Sequence, residues 1–173
     1  MIDPSLPYEP GSKIFRAADN VLAEYKASAD IKGTQIVFLD MATPKGTDKS
    51  KADAVTEDTT DDGYDEESAR LYDDMRDYLA KKGIPKKEIA FIHEADSDAK
   101  RKQLFEDVNN GKVRVLIGST GKMGVGMNAQ KRIVAIHHLD APWRPGDVEQ
   151  RDGRAFRQKN MNEEVSKYVY VTK

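Results

Sequence analysis

Two stretches of this chain carry residue types able to act on an anion. The first, Gly118-Ser119-Thr120-Gly121-Lys122-Met123-Gly124-Val125-Gly126-Met127-Asn128, leaves an apolar run and is dense in glycine, hydroxyl and amide groups. Small residues let main-chain N–H groups approach a phosphate closely. Gly121-Lys122 does not make a P-loop, which needs four residues before its Gly-Lys and a Ser or Thr after the lysine. Here Ser119 and Thr120 alone intervene and Met123 follows. Gly124 to Ala129 fits a loose dinucleotide pattern but lies too far beyond the apolar run for the tight turn that pattern requires. Taken alone, the glycines read equally well as a strand-to-helix turn without a ligand.

The second stretch is Asp147 to Gln158, Asp-Val-Glu-Gln-Arg-Asp-Gly-Arg-Ala-Phe-Arg-Gln. On a helix, Gln150, Arg154 and Arg157 fall at i, i+4 and i+7 and share one face. Two guanidinium groups on one stripe repel each other, and Asp152 can screen them only in part. The fixed fork of a guanidinium matches phosphate oxygens, which suits it to spreading charge during phosphoryl transfer. A solvated basic face is the bland alternative. Gly153 weighs against it, because a mid-helix glycine costs about 1 kcal/mol and points to close approach by another element.

The rest of the chain supplies elements to hold these stretches. Pro4, Pro7, Pro10 and Gly11 read as a linker over residues 1–11, ahead of one domain over 12–173. Ser12 is a plausible cap for a helix to about Ala29, with Ile14, Ala18, Val21, Leu22 and Tyr25 at helical spacing. Ile36 to Leu39 is a short apolar run suited to a strand covered on both faces. Leu71, Tyr72, Met75, Tyr78 and Leu79 predict a second helix, stopped by Gly83 and Pro85. Strands are predicted at Ile89–Ile92, Val113–Ile117, Ile133–Ile136 and Val165–Val171. A helix capped by Asp96 or Ser97 closes at Asn110-Gly111, and a last helix spans Gly146–Gln158. Strands alternating with helices predict a parallel α/β sheet, whose ligands bind in the loops after the strands.

Composition bounds the possibilities. The 173 residues suit one core, and 38% apolar residues suffice to build it. Zero cysteines exclude a disulfide framework and a thiolate nucleophile. No apolar run approaches the roughly 18 residues of a membrane span, so the expected setting is cytoplasmic. The net charge of -2 excludes a globally basic coat. It hides an asymmetry: Gly111–Lys173 holds 12 Lys and Arg against 6 Asp and Glu, whereas the first 110 residues hold 16 against 24. Nine carboxylates crowd between Asp48 and Glu67, predicting an exposed acidic insertion over about 46–66. His93, His137 and His138 lack metal-ligand spacing and read as structural.

In this order, four segments resemble motifs IV, V and VI of superfamily 2 helicases. They are Gln35 to Leu39; Ser119-Thr120 with Gly124 to Asn128; Asp140-Ala141-Pro142-Trp143-Arg144-Pro145; and Gln150 to Gln158. The likeness spans about residues 33–173 and is most similar to the second RecA-like lobe of the Swi2/Snf2 translocases. The wording around Tyr72 to Met75 and Ile89 to Asp96 is also similar to large helicase–methylase proteins of phages and conjugative elements. The resemblance implies a RecA-like parallel sheet flanked by helices and an ATP site split between two lobes. Arg157 would be the arginine finger, Arg154 its companion and Gln150 a positioning contact. Gly124, Gly126 and Asn128 would stand beside the nucleotide, and Ser119, Thr120 and Lys122 beside the nucleic-acid backbone. Many relatives carry Asp where Asn128 stands. Arg101 matches a common family arginine, Glu94 replaces a frequent glycine, and Trp143 would pack the loop before the arginine helix.

No Walker A lysine or Asp-Glu magnesium motif occurs here, so ATP and Mg2+ would be held chiefly by an N-terminal RecA-like lobe of the same full-length chain. Isolated, this lobe should not hydrolyse ATP. The other expected partners are DNA in preference to RNA, and a fused methyltransferase domain. Two competing readings stand beside the motor lobe. One is a Rossmann-type nucleotide or S-adenosylmethionine domain of a DNA methyltransferase, which leaves the face of Gln150, Arg154 and Arg157 unexplained. The other is a degenerate docking module, against which the retained arginines argue.

Overall fold

Strand and helix periodicities in the sequence are realised as a five-stranded parallel sheet with helices on both faces. The computed structural model describes residues 13–39, 66–119, 123, 128–139, 149, 152–153 and 160–171. Helix α1 (Lys13–Ala27) leads to β1 (Thr34–Phe38), and α2 (Glu66–Lys81) to β2 (Ile89–Phe91). Helix α3 (Asp98–Asn109) precedes β3 (Val115–Gly118), followed by β4 (Ile133–His138) and β5 (Ser166–Val169). All four strand pairings are parallel, in the order β2-β3-β1-β4-β5. The five predicted strands are all present; Ile92, expected to end the second, opens a 3-10 turn over Ile92–Glu94 instead. The predicted acidic insertion, apart from Glu66, which opens α2, and the proposed Ser12 cap lie outside the described residues.

Alternation along the strands divides the core. Val37, Leu39, Phe91, Val115 and Ile117 face α1 and α2, where Ile14, Ala17, Ala18, Val21, Leu71, Met75 and Leu79 complete one apolar layer. Ile36, Phe38, Leu116, Ile133 and Ile136 face the other way, onto Phe105 and Val108 of α3 and onto Met123. Every residue of β1 is buried, as its central position between β3 and β4 requires.

Local chemistry sets the helix ends. Ser97 caps α3, its hydroxyl accepting from the Lys100 N–H at 3.3 Å. Gly83 ends α2 at φ +114°, a conformation side chains disfavour, and the Ile84 N–H returns to the Leu79 carbonyl at 3.1 Å. At the edge where the strands begin, two arginines take up helix-end carbonyls. Arg114, buried just before β3, donates to the carbonyls of Tyr25 (2.8 Å) and Gly33 (3.0 Å) and lies 3.9 Å over the Tyr25 ring. Arg132, just before β4, donates to the carbonyls of Ile31 (2.8 Å) and Asn109 (2.9 Å). A cation at a helix C-terminus also meets the negative end of its dipole.

At the opposite edge the strands stay aligned past their ends. The N–H of Leu39 donates to the Gly118 carbonyl, Leu139 to Phe38, and Tyr170 to His138, at 3.0–3.1 Å. Gly118 is obligatory here: a Cβ would stand 2.2 Å from Ile92 Cγ2 and 3.3 Å from Met123 Cγ. Gly118→Ala is therefore expected to destabilise the fold by about 1–3 kcal/mol, the usual cost of overpacking a tight core. Urea titration of the two proteins measures it, and equal midpoints would refute the packing argument.

Candidate functional site

In chain order β1 is followed by β2 on one side of the sheet and β4 by β5 on the other, so the switch point of the sheet, where ligands of such folds bind, falls between the C-terminal ends of β1 and β4. Ser119 stands beside it at the end of β3, half-buried. Its carbonyl accepts from the Met123 N–H at 3.0 Å, an i, i+4 bond of the kind that closes a helical turn, and Met123 is itself helical. Met123 is fully buried against the α3 face and anchors that turn to the core. The sequence reading of the glycine-rich stretch as a strand-to-helix passage holds at these two residues.

Asn128 is exposed and anchored separately from Ser119. Its carbonyl accepts from Asn109 Nδ2 at 2.5 Å, and the Lys131 N–H donates to Asn109 Oδ1 at 3.2 Å. The side chain at the end of α3 thus clamps the approach to β4. Thr120, Lys122, Gly124, Gly126, Gln150, Arg154 and Arg157 lie outside the described residues, as do Asp140 and Trp143.

Of the arginine stretch, Glu149, Asp152 and Gly153 are described, and each is helical. Asp152, read as a partial screen for the arginines, pairs with the sheet; the arginines themselves lie outside the described residues. Its Oδ1 lies 3.2 Å from His138 Nε2 and its Oδ2 2.5 Å from Lys167 Nζ. Gly153, read as a point of close approach, has no described atom within 4 Å of where a Cβ would sit. Its missing side chain is not explained by crowding from the described residues.

The histidines are structural partners of this edge. His138 stacks on Phe38 with ring centroids 5.4 Å apart and planes within 10°. His137 is buried on the other face, with Nε2 2.8 Å from Gln35 Oε1 and Nδ1 2.9 Å from the Tyr170 hydroxyl. Because Gln35 Nε2 already donates to the Val21 carbonyl, Gln35 Oε1 must accept, which places the imidazole proton on Nε2. Tyr170 then donates to Nδ1 and accepts from Asn20 Nδ2 at 3.0 Å. The network is satisfied only by a neutral ring. Burial, with a smaller contribution from neighbouring His138, pushes the His137 pKa down to about 3, and burial pushes Tyr170 up to about 12. Among the described residues no group of three His, Asp or Glu is placed to hold a metal ion.

Residues 64–159, more than half of the chain and including both anion-directed stretches, match the model of the helicase conserved C-terminal domain. The chain belongs to this family. Comparison with curated proteins gave no match. Among solved structures, this helicase C-terminal domain is similar to the C-terminal part of the Fun30 ATPase domain, with a TM-score of 0.58 and 14% identity over 94% of this chain and 43% of that one. It is similar to the DUF1998 helicase MrfA bound to DNA, with a TM-score of 0.57 and 14% identity over 90% of this chain and 18% of that one. The helicase domain of Hef from Pyrococcus furiosus gives a TM-score of 0.51 and 12% identity, over 92% of this chain and 26% of that one. The chain spans less than half the length of each. These likenesses show the fold alone, a parallel sheet flanked by helices shared with these helicase and ATPase domains. The methyltransferase alternative is not favoured.

Among the described residues, no helix is long and apolar enough to cross a membrane. The residues that structural reading adds to those picked from sequence are His138 and Lys167. Lys167 carries no local signal, being one lysine in an exposed strand.

The neutral His137 ring has a consequence for stability. The unfolded chain binds its proton below about pH 6.5, the folded one only near pH 3, so protonation favours unfolding and stability falls as pH drops between these values. The His137 contribution should weaken by about 2 kcal/mol between pH 7 and pH 5. Denaturation at both pH values, with His137→Gln for comparison, checks this; an unchanged pH slope in the variant would contradict it.

Proposed function

We propose that this chain is the second motor lobe of an ATP-dependent DNA helicase or translocase. The observation that carries the reading is the family match over residues 64–159, which takes in the glycine-rich stretch and the arginine stretch together. In this reading Arg157 is the arginine finger, Arg154 its companion and Gln150 a positioning contact. Gly124, Gly126 and Asn128 border the nucleotide. Ser119, Thr120 and Lys122 contact the phosphate backbone of DNA, as expected of groups gathered beyond strand ends.

The division of labour follows from the donor set. Guanidinium groups carry charge that cannot be titrated away and neutralise negative charge developing on a transferring phosphoryl group. The sequence given holds no Walker A lysine or Asp-Glu magnesium motif, so ATP and Mg2+ fall mainly to an N-terminal RecA-like lobe of the full-length protein. When bound between the lobes, ATP supplies the phosphoryl group; this chain's part is to present the arginines and grip the nucleic-acid track. Alone it is inactive. The likeness to helicase–methylase proteins of mobile elements extends the proposal to a fused methyltransferase domain and a cytoplasmic setting.

Arginine fingers contribute about 10³–10⁵ in rate. Arg157→Ala in the full-length protein is expected to abolish DNA-stimulated ATP turnover and to leave the thermal melt unchanged. Normal turnover in that variant would remove the assignment.

A further inference from the structure

Helical phase separates Asp152 from the groups the motor needs. On a regular helix of about 100° per residue, a residue two positions from both Gln150 and Arg154, as Asp152 is, falls across from the stripe those two would share. Its carboxylate is 18% exposed and joins two neighbouring strands at once. Lys167 pairs in register with Ile136, and His138 is two residues further along the same strand, so both project from one face of the sheet. His138 is in turn stacked on Phe38, its register partner on the central strand. The chain of contacts therefore runs from the helix segment through Asp152 and His138 into the fully buried central strand, with Lys167 as a second tether on β5.

We infer that Asp152 is the positioning residue of the arginine helix, held by His138 and Lys167 so that the opposite stripe is presented to the nucleotide. The inference rests on the motor-lobe reading and adds to it the device that fixes the helix's rotation about its axis. A group that acts only in the transition state is sensitive to placement, and an error of about 1 Å costs on the order of 10²-fold in rate. Gly153 gives the helix no side chain with which to hold that rotation from the next position, so the Asp152 carboxylate bears it.

The test uses the full-length protein and six variants, the four that follow together with Asp152→Ala and the double variant of Asp152→Asn with Lys167→Met. Asp152→Asn keeps the size of the side chain but removes its charge; Lys167→Met removes the partner; Lys167→Arg keeps the ion pair; Arg157→Ala reports on the motor reading itself. Asp152→Asn and Lys167→Met are each expected to lower kcat for DNA-stimulated ATP hydrolysis by about 10- to 100-fold, with KM for ATP little changed, the signature of a misplaced transition-state group. The double variant should lose no more than either single one, because both break the same contact. Lys167→Arg should restore kcat to within about threefold of wild type. Were Asp152→Asn and Asp152→Ala to turn over like wild type while Arg157→Ala is dead, the positioning role would be overturned and the motor reading kept. Normal turnover by Arg157→Ala would overturn the reading beneath both. Loss of the thermal melt in Asp152→Asn would make the role one of folding and likewise overturn it, unless Lys167→Met melts normally with the expected loss in kcat.

Discussion

Parallel pairing of the central strand governs this molecule. A parallel neighbour can be reached only by a crossover long enough to return the chain to the starting edge. With β1 buried between β3 and β4, every crossover must leave from one edge of the sheet. The stretches rich in glycine and arginine follow β3 and β4, so topology gathers residues far apart in sequence onto the same rim. The opposite edge receives the helix ends and is closed by Arg114 and Arg132. One rim is left for chemistry and the other for fastening.

The two rims differ in their electrostatics. At the fastening rim the cations meet main-chain carbonyls and an aromatic face, partners whose polarity does not change with pH. Near the chemical rim, the polar groups belong to side chains: Asp152 with Lys167 and His138, and the neutral His137 network of Gln35, Tyr170 and Asn20. Such a buried network is stable when every donor and acceptor is paired, and it admits one tautomer. Its members come from α1, β1, β4 and the residue after β5, which ties the rim's scaffold together on the face opposite the one Asp152 meets.

How far this was legible in the sequence depends on the range of the interaction. Val37 and Leu39 against Ile36 and Phe38 announce a strand covered on both faces, and Ser97, Gly83 and Gly111 mark helix ends, because caps and positive φ are decided within a few residues. Asp152 was legible as a helical carboxylate, but two of its partners were not: His138 and Lys167, 14 and 15 residues away, are brought to it by strand register. Gly153 suggested crowding that no described residue supplies. Arg114 likewise gives no local hint of reaching back to Tyr25, 89 residues earlier. Order and spacing of motifs revealed the lobe; the tethers that orient it required the fold.

The carbonyl-bound arginines also separate two responses to salt. Ion pairs with phosphates weaken steeply as ionic strength rises, since neutralised phosphates regain their counterions. A buried guanidinium facing neutral carbonyls gains nothing from low salt and loses little at high salt, because screening acts between net charges in solvent. Arg114 is 5% exposed and rests on such partners. The fastening of this domain thus outlasts ion pairs of the kind that grip a polyanion: under the proposed function, salt would strip a nucleic-acid track from the lobe well before it loosened the lobe itself.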